Sequence, residues 1–212
     1  MLIPQVIEVI HRQTVVNELF HPGTTPWELV HKESEQAFIK DGYYWMENTS
    51  HTDWMYYKYK IPFKRETDWL LDAELELISP SQSSFGHYGL VWGFQEDREY
   101  LNKFTVSADG DRCLVMHFQK DHHRIMHRYQ KKLTPAPHGQ PVQLSILKAQ
   151  NYYYFLVNRT MVYMCEASCF AHRGPYMGYY VEPGLFIRSP RITLERFITK
   201  QAVDNLAKHL YV

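Results

Sequence analysis

The stretch Trp69-Leu70-Leu71-Asp72-Ala73-Glu74-Leu75-Glu76-Leu77-Ile78-Ser79 decides the fold class. Trp69, Leu71, Ala73, Leu75 and Leu77 fall on one side of a period-two repeat and Asp72, Glu74 and Glu76 on the other, the pattern of a strand with one buried face. A helix would spread the three carboxylates around its cylinder, and nothing at the start of the segment caps one. Outward from this strand the same alternation predicts further strands at 38–47, 55–61, 87–94, 100–107, 112–118, 125–130, 142–148, 152–158, 161–164, 184–188 and 192–199. Turn formers separate them, among them Lys40-Asp41-Gly42, Asp109-Gly110-Asp111, Asn158-Arg159 and Pro183-Gly184. Many short strands at regular spacing, with no helical period between them, predict an all-β antiparallel two-sheet jelly-roll sandwich. Leu71, Leu75, Leu77, Leu90, Val106, Val115, Leu144, Ile146, Phe155, Val157, Phe186 and Phe197 are its expected core. Two ends depart from the pattern. Residues 1–36 read as irregular with a first strand around 5–11, and 201–210 place Ala202, Val203, Leu206, Ala207 and Leu210 on one stripe of a short C-terminal helix.

The 212 residues fit one domain, 1–212, large enough to bury a core without disulfides or metal. Lys and Arg number 23, as do Asp and Glu, so the formal net charge is zero, which argues against a nucleic-acid or anionic-membrane partner. Three cysteines, Cys113, Cys165 and Cys169, are too few for a secreted disulfide framework. The start MLIPQVIEVIHRQ has neither a basic leader nor a cleavage site, and no apolar run reaches ~18 residues, so a soluble cytoplasmic chain is expected. No phosphate loop or nucleophile elbow occurs, and no cofactor is expected. The sequence is silent on oligomeric state.

The order of Gly42-Tyr43-Tyr44, the acidic strand 72–79, Tyr88-Gly89-Leu90-Val91-Trp92-Gly93-Phe94 and the segment 100–110 (YLNKFTVSADG) resembles the concanavalin A-like lectin/glucanase superfamily. Tyr154-Phe155-Leu156-Val157-Asn158-Arg159 is similar to its hairpin with an Asn turn, and 184–187 with 192–197 to its closing strands. The resemblance spans about 35–200 and includes legume lectins, laminin G-like modules, bacterial sugar-binding domains and glycoside hydrolases. It implies a curved sandwich whose concave sheet binds carbohydrate in many members.

Asp72, Glu74 and Glu76 stand ~6.6 Å apart along one strand face, within the range of the carboxyl pair that cleaves glycosidic bonds. The resemblance implies a hydrolase strand reading Glu, any residue, Asp, one or two residues, Glu; here the first two acids are exchanged, and a solvated strand face accounts for them equally. His122, His123 and His127 lack the helix that would gather them on one metal ion, since in a strand His123 and His127 are ~13 Å apart, and no metal is expected. The chain holds 5 Trp, 16 Tyr and 11 Phe, and alternation sends about half of the rings inward. The rest can form a platform for the apolar face of a sugar ring. The candidate binding residues are Trp54, Tyr57, Trp92 and Tyr152, with Glu74, Asn102 and His117 as polar partners. Three functions follow: a non-catalytic carbohydrate-recognition module, a glycoside hydrolase using Asp72, Glu74 and Glu76, or a protein-interaction domain without a sugar site.

Overall fold

The structure, a computed structural model, describes residues 11–21, 23, 25–52, 54–61, 67–80, 86–94, 100–119, 124–134, 140–170 and 174–198. Two antiparallel sheets form a jelly-roll sandwich. The first contains β1 (His11–Glu18), β2 (Val30–Lys32), β3 (Glu35–Lys40), β4 (Tyr43–Asn48), β6 (Asp68–Pro80), β11 (Val142–Ala149), β12 (Tyr152–Val157), β13 (Thr160–Glu166) and β15 (Leu185–Ile198). The second contains β5 (Met55–Lys60), β7 (His87–Phe94), β8 (Tyr100–Ser107), β9 (Arg112–Gln119), β10 (Arg124–Lys132) and β14 (Tyr176–Val181). The nine-stranded sheet runs β13-β12-β11-β6-β15-β4-β3-β2, with β1 beside β15, and the six-stranded sheet runs β10-β9-β8-β7-β14-β5.

Local chemistry fixes the hairpins. Asp41 and Gly42 both take positive φ in the two-residue loop between β3 and β4, and Asn158 and Arg159 do so between β12 and β13. That backbone matches the twist of paired strands and favours Asn, Asp and Gly. β6 behaves as its alternation predicts: Trp69, Leu71, Ala73 and Leu75 are buried against the second sheet, while Asp72, Glu74 and Glu76 face outward. Between the sheets these residues meet Leu90, Trp92, Phe104, Val115 and Tyr179 in one core.

Several expectations are corrected. The segment 1–36 is not irregular throughout, since β1 and β2 lie within it; residues 5–10 fall outside the described residues. β14 was hidden in an aromatic run with apolar residues on both faces. Segments 184–188 and 192–199 form one strand. Pro190 lies where β15 exchanges its neighbour β4, paired as far as Ser189, for β1, paired from Ile192, and a bulge there absorbs its missing N–H. Phe186 is not core: with Leu185 and Ile187 turned inward it stands outside, on Trp45. Phe197 is buried in a small outer cluster with Leu147 and Ala149, and Leu77 is only partly buried. The proposed helix at 201–210 lies outside the described residues.

Candidate binding face

The predicted site residues do not converge. Tyr57 and Trp92 are core side chains, because β5 and β7 turn 55, 57 and 88, 90, 92 toward the first sheet. Asn102 and His117 are also interior: they oppose each other across β8 and β9, and His117 Nδ1 donates to Asn102 Oδ1 at 2.6 Å. None of these four is open to a glycan. Tyr152 and Glu74 face outward on the nine-stranded sheet, and Trp54 lies on the opposite side of the molecule, over the six-stranded sheet.

The acids of β6 form a line on the outer nine-stranded face. Asp72 accepts from Gln143 Nε2 at 2.9 Å and Ser145 Oγ at 2.5 Å. Glu76 is paired with Arg188 at 2.7 Å, whose guanidinium also lies 4.1 Å over the Tyr43 ring and 5.0 Å over Trp45. Glu74 sits between them, opposite Gln143 on one side and Arg191 on the other.

On the other sheet a different arrangement appears. Tyr56, Val91, Phe94, Leu101 and Tyr180 form a buried apolar cluster on the outer face, and Trp54 packs on it. The Trp54 and Phe118 ring centroids are 6.0 Å apart, edge to face. Phe118 lies in β9, four strand spacings from β5, and Trp54 stands just before β5. The Trp54 side chain therefore lies over the face of the sheet, on the apolar cluster. Between them lies an apolar depression of about 100 Å³ lined by Trp54, Leu101, Met116, Phe118, Ile125 and Tyr180, with Lys103 at one side.

Lys103 is 5% exposed on the central strand β8. Its ammonium donates to Tyr180 Oη at 2.7 Å and to Glu182 Oε1 at 3.3 Å, and Tyr180 donates to the same carboxylate at 2.8 Å. The other oxygen, Oε2, accepts from the His87 backbone N–H at 2.8 Å and lies 3.3 Å from His87 Nδ1. Burial alone would raise the Glu182 pKa, but the His87 hydrogen bond, the Lys103 charge and the Tyr180 hydroxyl outweigh it and hold the carboxyl at about 2. Burial lowers Lys103, opposed by Glu182, and raises Tyr180. Lys103 and Tyr180 line one side of the depression, whose lining is otherwise apolar, and Glu182 lies outside that lining. Glu182 escaped the sequence reading because β14 did; Lys103 lies in the predicted strand 100–107, where a lysine inside an apolar strand was the available signal.

His127 is turned inward onto Tyr163, whose hydroxyl lies 2.8 Å from Nε2; His122 and His123 fall outside the described residues. Among the described residues no group of three or more His, Cys, Asp or Glu is placed to hold a metal ion, and no helix is long and apolar enough to cross a membrane.

No protein-family model and no curated protein matches the chain. Solved structures do. The β-glucanase of Bacillus licheniformis is 9% identical, with a TM-score of 0.59 over 84% of this chain and 96% of that one. The catalytic domain of an endo-1,3-β-glucanase (laminarinase) from Thermotoga petrophila is 9% identical at 0.59, over 89% and 99%. The CBM2 module of an evolved Dit protein from Lactobacillus casei phage J-1 is 11% identical at 0.54, over 91% and 97%. The chain therefore has the concanavalin A-like jelly-roll fold.

Proposed function

We propose that the protein is a non-catalytic carbohydrate-recognition module whose glycan lies on the outer face of the six-stranded sheet, at the depression between Trp54 and Phe118. The observation that carries the reading is the pairing of an aromatic, apolar depression with a rigid polar network at its side. A sugar ring has an apolar face for Trp54 and Phe118 and hydroxyls for Lys103 and Tyr180 at the edge of the depression, the combination of apolar lining and few fixed polar groups that small-ligand sites share. The fold supports binding and cleavage alike, since the neighbours above include two glucanases and a CBM2 module; the reading for binding rests on the site.

Binding is favoured because a glycosidase acid needs a raised pKa so that it holds a proton near neutrality. Glu182 is held at about 2. The carboxylates of β6 stand on the other sheet, where Glu76 and Asp72 are engaged by Arg188, Gln143 and Ser145. The test is a glycan array followed by titration of wild type and Trp54→Ala, with reducing ends measured in parallel. Saturable binding weakened at least tenfold in W54A, without reducing ends, is the expected result. Release of reducing ends that E182Q abolishes, or no binding to any glycan at high protein concentration, would overturn it.

A further inference from the structure

The strands of the two sheets differ in charge: those of the nine-stranded sheet mix seven Lys and Arg with nine Asp and Glu. The six strands of the second sheet contain eight Lys and Arg and no Asp or Glu: two lysines in β5, Lys103 in β8, Arg112 in β9 and four cations in β10. Arg112 is paired by Asp109 and Asp111 of the adjoining turn. Lys103 is paired by Glu182, which follows β14. One transverse row of cations can be followed through every strand of the sheet. Lys58 stands opposite Gly178, Gly178 opposite Val91, Val91 opposite Lys103, Lys103 opposite Met116, and Met116 opposite Arg128. Cations thus occupy both edges and the middle of one row, their backbones about 14 Å and 10 Å apart by strand spacing.

Resting on the carbohydrate reading above, we infer that the glycan taken by this face is anionic, carrying carboxylate or sulfate groups that Lys58, Lys103 and Arg128 meet along the row. Lysine on edge strands also deters edge-to-edge pairing, which gives Lys58 and Arg128 a second role. That role does not reach Lys103, which is buried on a central strand. The ammonium has three donors, and Tyr180 and Glu182 take two of them. Glu182 supports the charge of Lys103 and Arg128 is near enough to act against it, so an anionic group beside Arg128 adds to what Glu182 supplies, which a neutral sugar does not. A row of cations also raises the local concentration of an oppositely charged chain. A nucleic acid, with a phosphate on every nucleotide, is met by a denser set of cations, typically six to ten contacts. Three cations separated by Gly178, Val91 and Met116 fit a chain with sparser charge.

The experiment is isothermal titration of the full chain at low and moderate salt with four probes: an oligogalacturonate, a chondroitin sulfate oligosaccharide, a neutral laminari-oligosaccharide and an oligothymidylate. At least one anionic glycan should bind tenfold or more tighter than the neutral one, with the advantage shrinking as salt rises, and the carboxylate and sulfate arms identify the group. Lys58→Gln and Arg128→Gln, at edge positions the fold does not need, should each reduce that advantage several-fold without moving the melting temperature. Lys103→Met should abolish it if the variant folds. Equal or tighter binding of the neutral oligosaccharide overturns the inference while leaving the carbohydrate reading intact. Binding of no glycan overturns both, and oligothymidylate bound tighter than every glycan overturns the inference in favour of nucleic acid.

Discussion

Glu182 follows directly on β14, and its carboxylate receives the Lys103 ammonium, the Tyr180 hydroxyl and the His87 N–H. Its pKa falls from an ordinary 4.5 to about 2, so the folded state binds this proton more weakly than the unfolded chain. A depressed carboxyl contributes stability that is fully present above about pH 5 and is lost as pH falls toward 2, here about 3 kcal/mol. Urea unfolding of wild type and Glu182→Gln should differ by roughly that amount at pH 7 and converge near pH 2; parallel profiles would contradict the assignment. Glu74 is the contrasting acid. Standing on the other sheet, with Glu74→Gln nearly isosteric, it should change neither glycan affinity nor stability by more than about 0.5 kcal/mol, read by titration and melting. Side-chain placement was partly legible in the sequence. Trp54, a candidate from the sequence, is part-exposed over the six-stranded sheet, whereas Tyr57 and Trp92 were not distinguishable from Tyr56 and Val91, because both parities of those strands are apolar.

At the scale of elements, β6 was legible because one face is apolar and the other acidic. β14, reading YMGYYV, was not, since five of its six residues are buried across two faces and period two is erased. Its Gly178 has a packing reason. A Cβ there would stand 1.8 Å from the Tyr57 carbonyl oxygen of the paired strand β5, so Gly178→Ala has to displace backbone. The expected cost is about 1–3 kcal/mol or more, and because Tyr176 and Tyr180 flank the glycine on the binding face, denaturant unfolding and glycan titration should worsen together. An unchanged midpoint would show that β5 and β14 pair less tightly than described. The break at Pro190 shows the converse: the predicted strands 184–188 and 192–199 are one, and the sheet accommodates the proline between them by changing partners.

The whole molecule is a sandwich with a single main core and two outer faces of different character. Phe155 lies at the centre of that core, with its ring centroid 5.3 Å from Phe104 and 5.6 Å from Trp92, bridging the sheets. Phe155→Ala should cost about 3–5 kcal/mol in unfolding free energy. Alternation and turn chemistry gave the architecture, but a depression lined from β8, β9, β10, β14 and the residue before β5 belongs to no single segment and left no trace in the linear pattern. Trp45 is part-exposed on the nine-stranded face and Trp54 on the six-stranded face, while Trp27, Trp69 and Trp92 are buried. The indole N–H spectrum of 15N-labelled protein therefore reports the occupied face when the tightest-binding of the oligosaccharides named above is titrated in. The Trp54 signal should shift in a saturable manner while Trp45 stays in place; movement of Trp45 with Trp54 unmoved would place the glycan on the acidic, nine-stranded side and contradict the account.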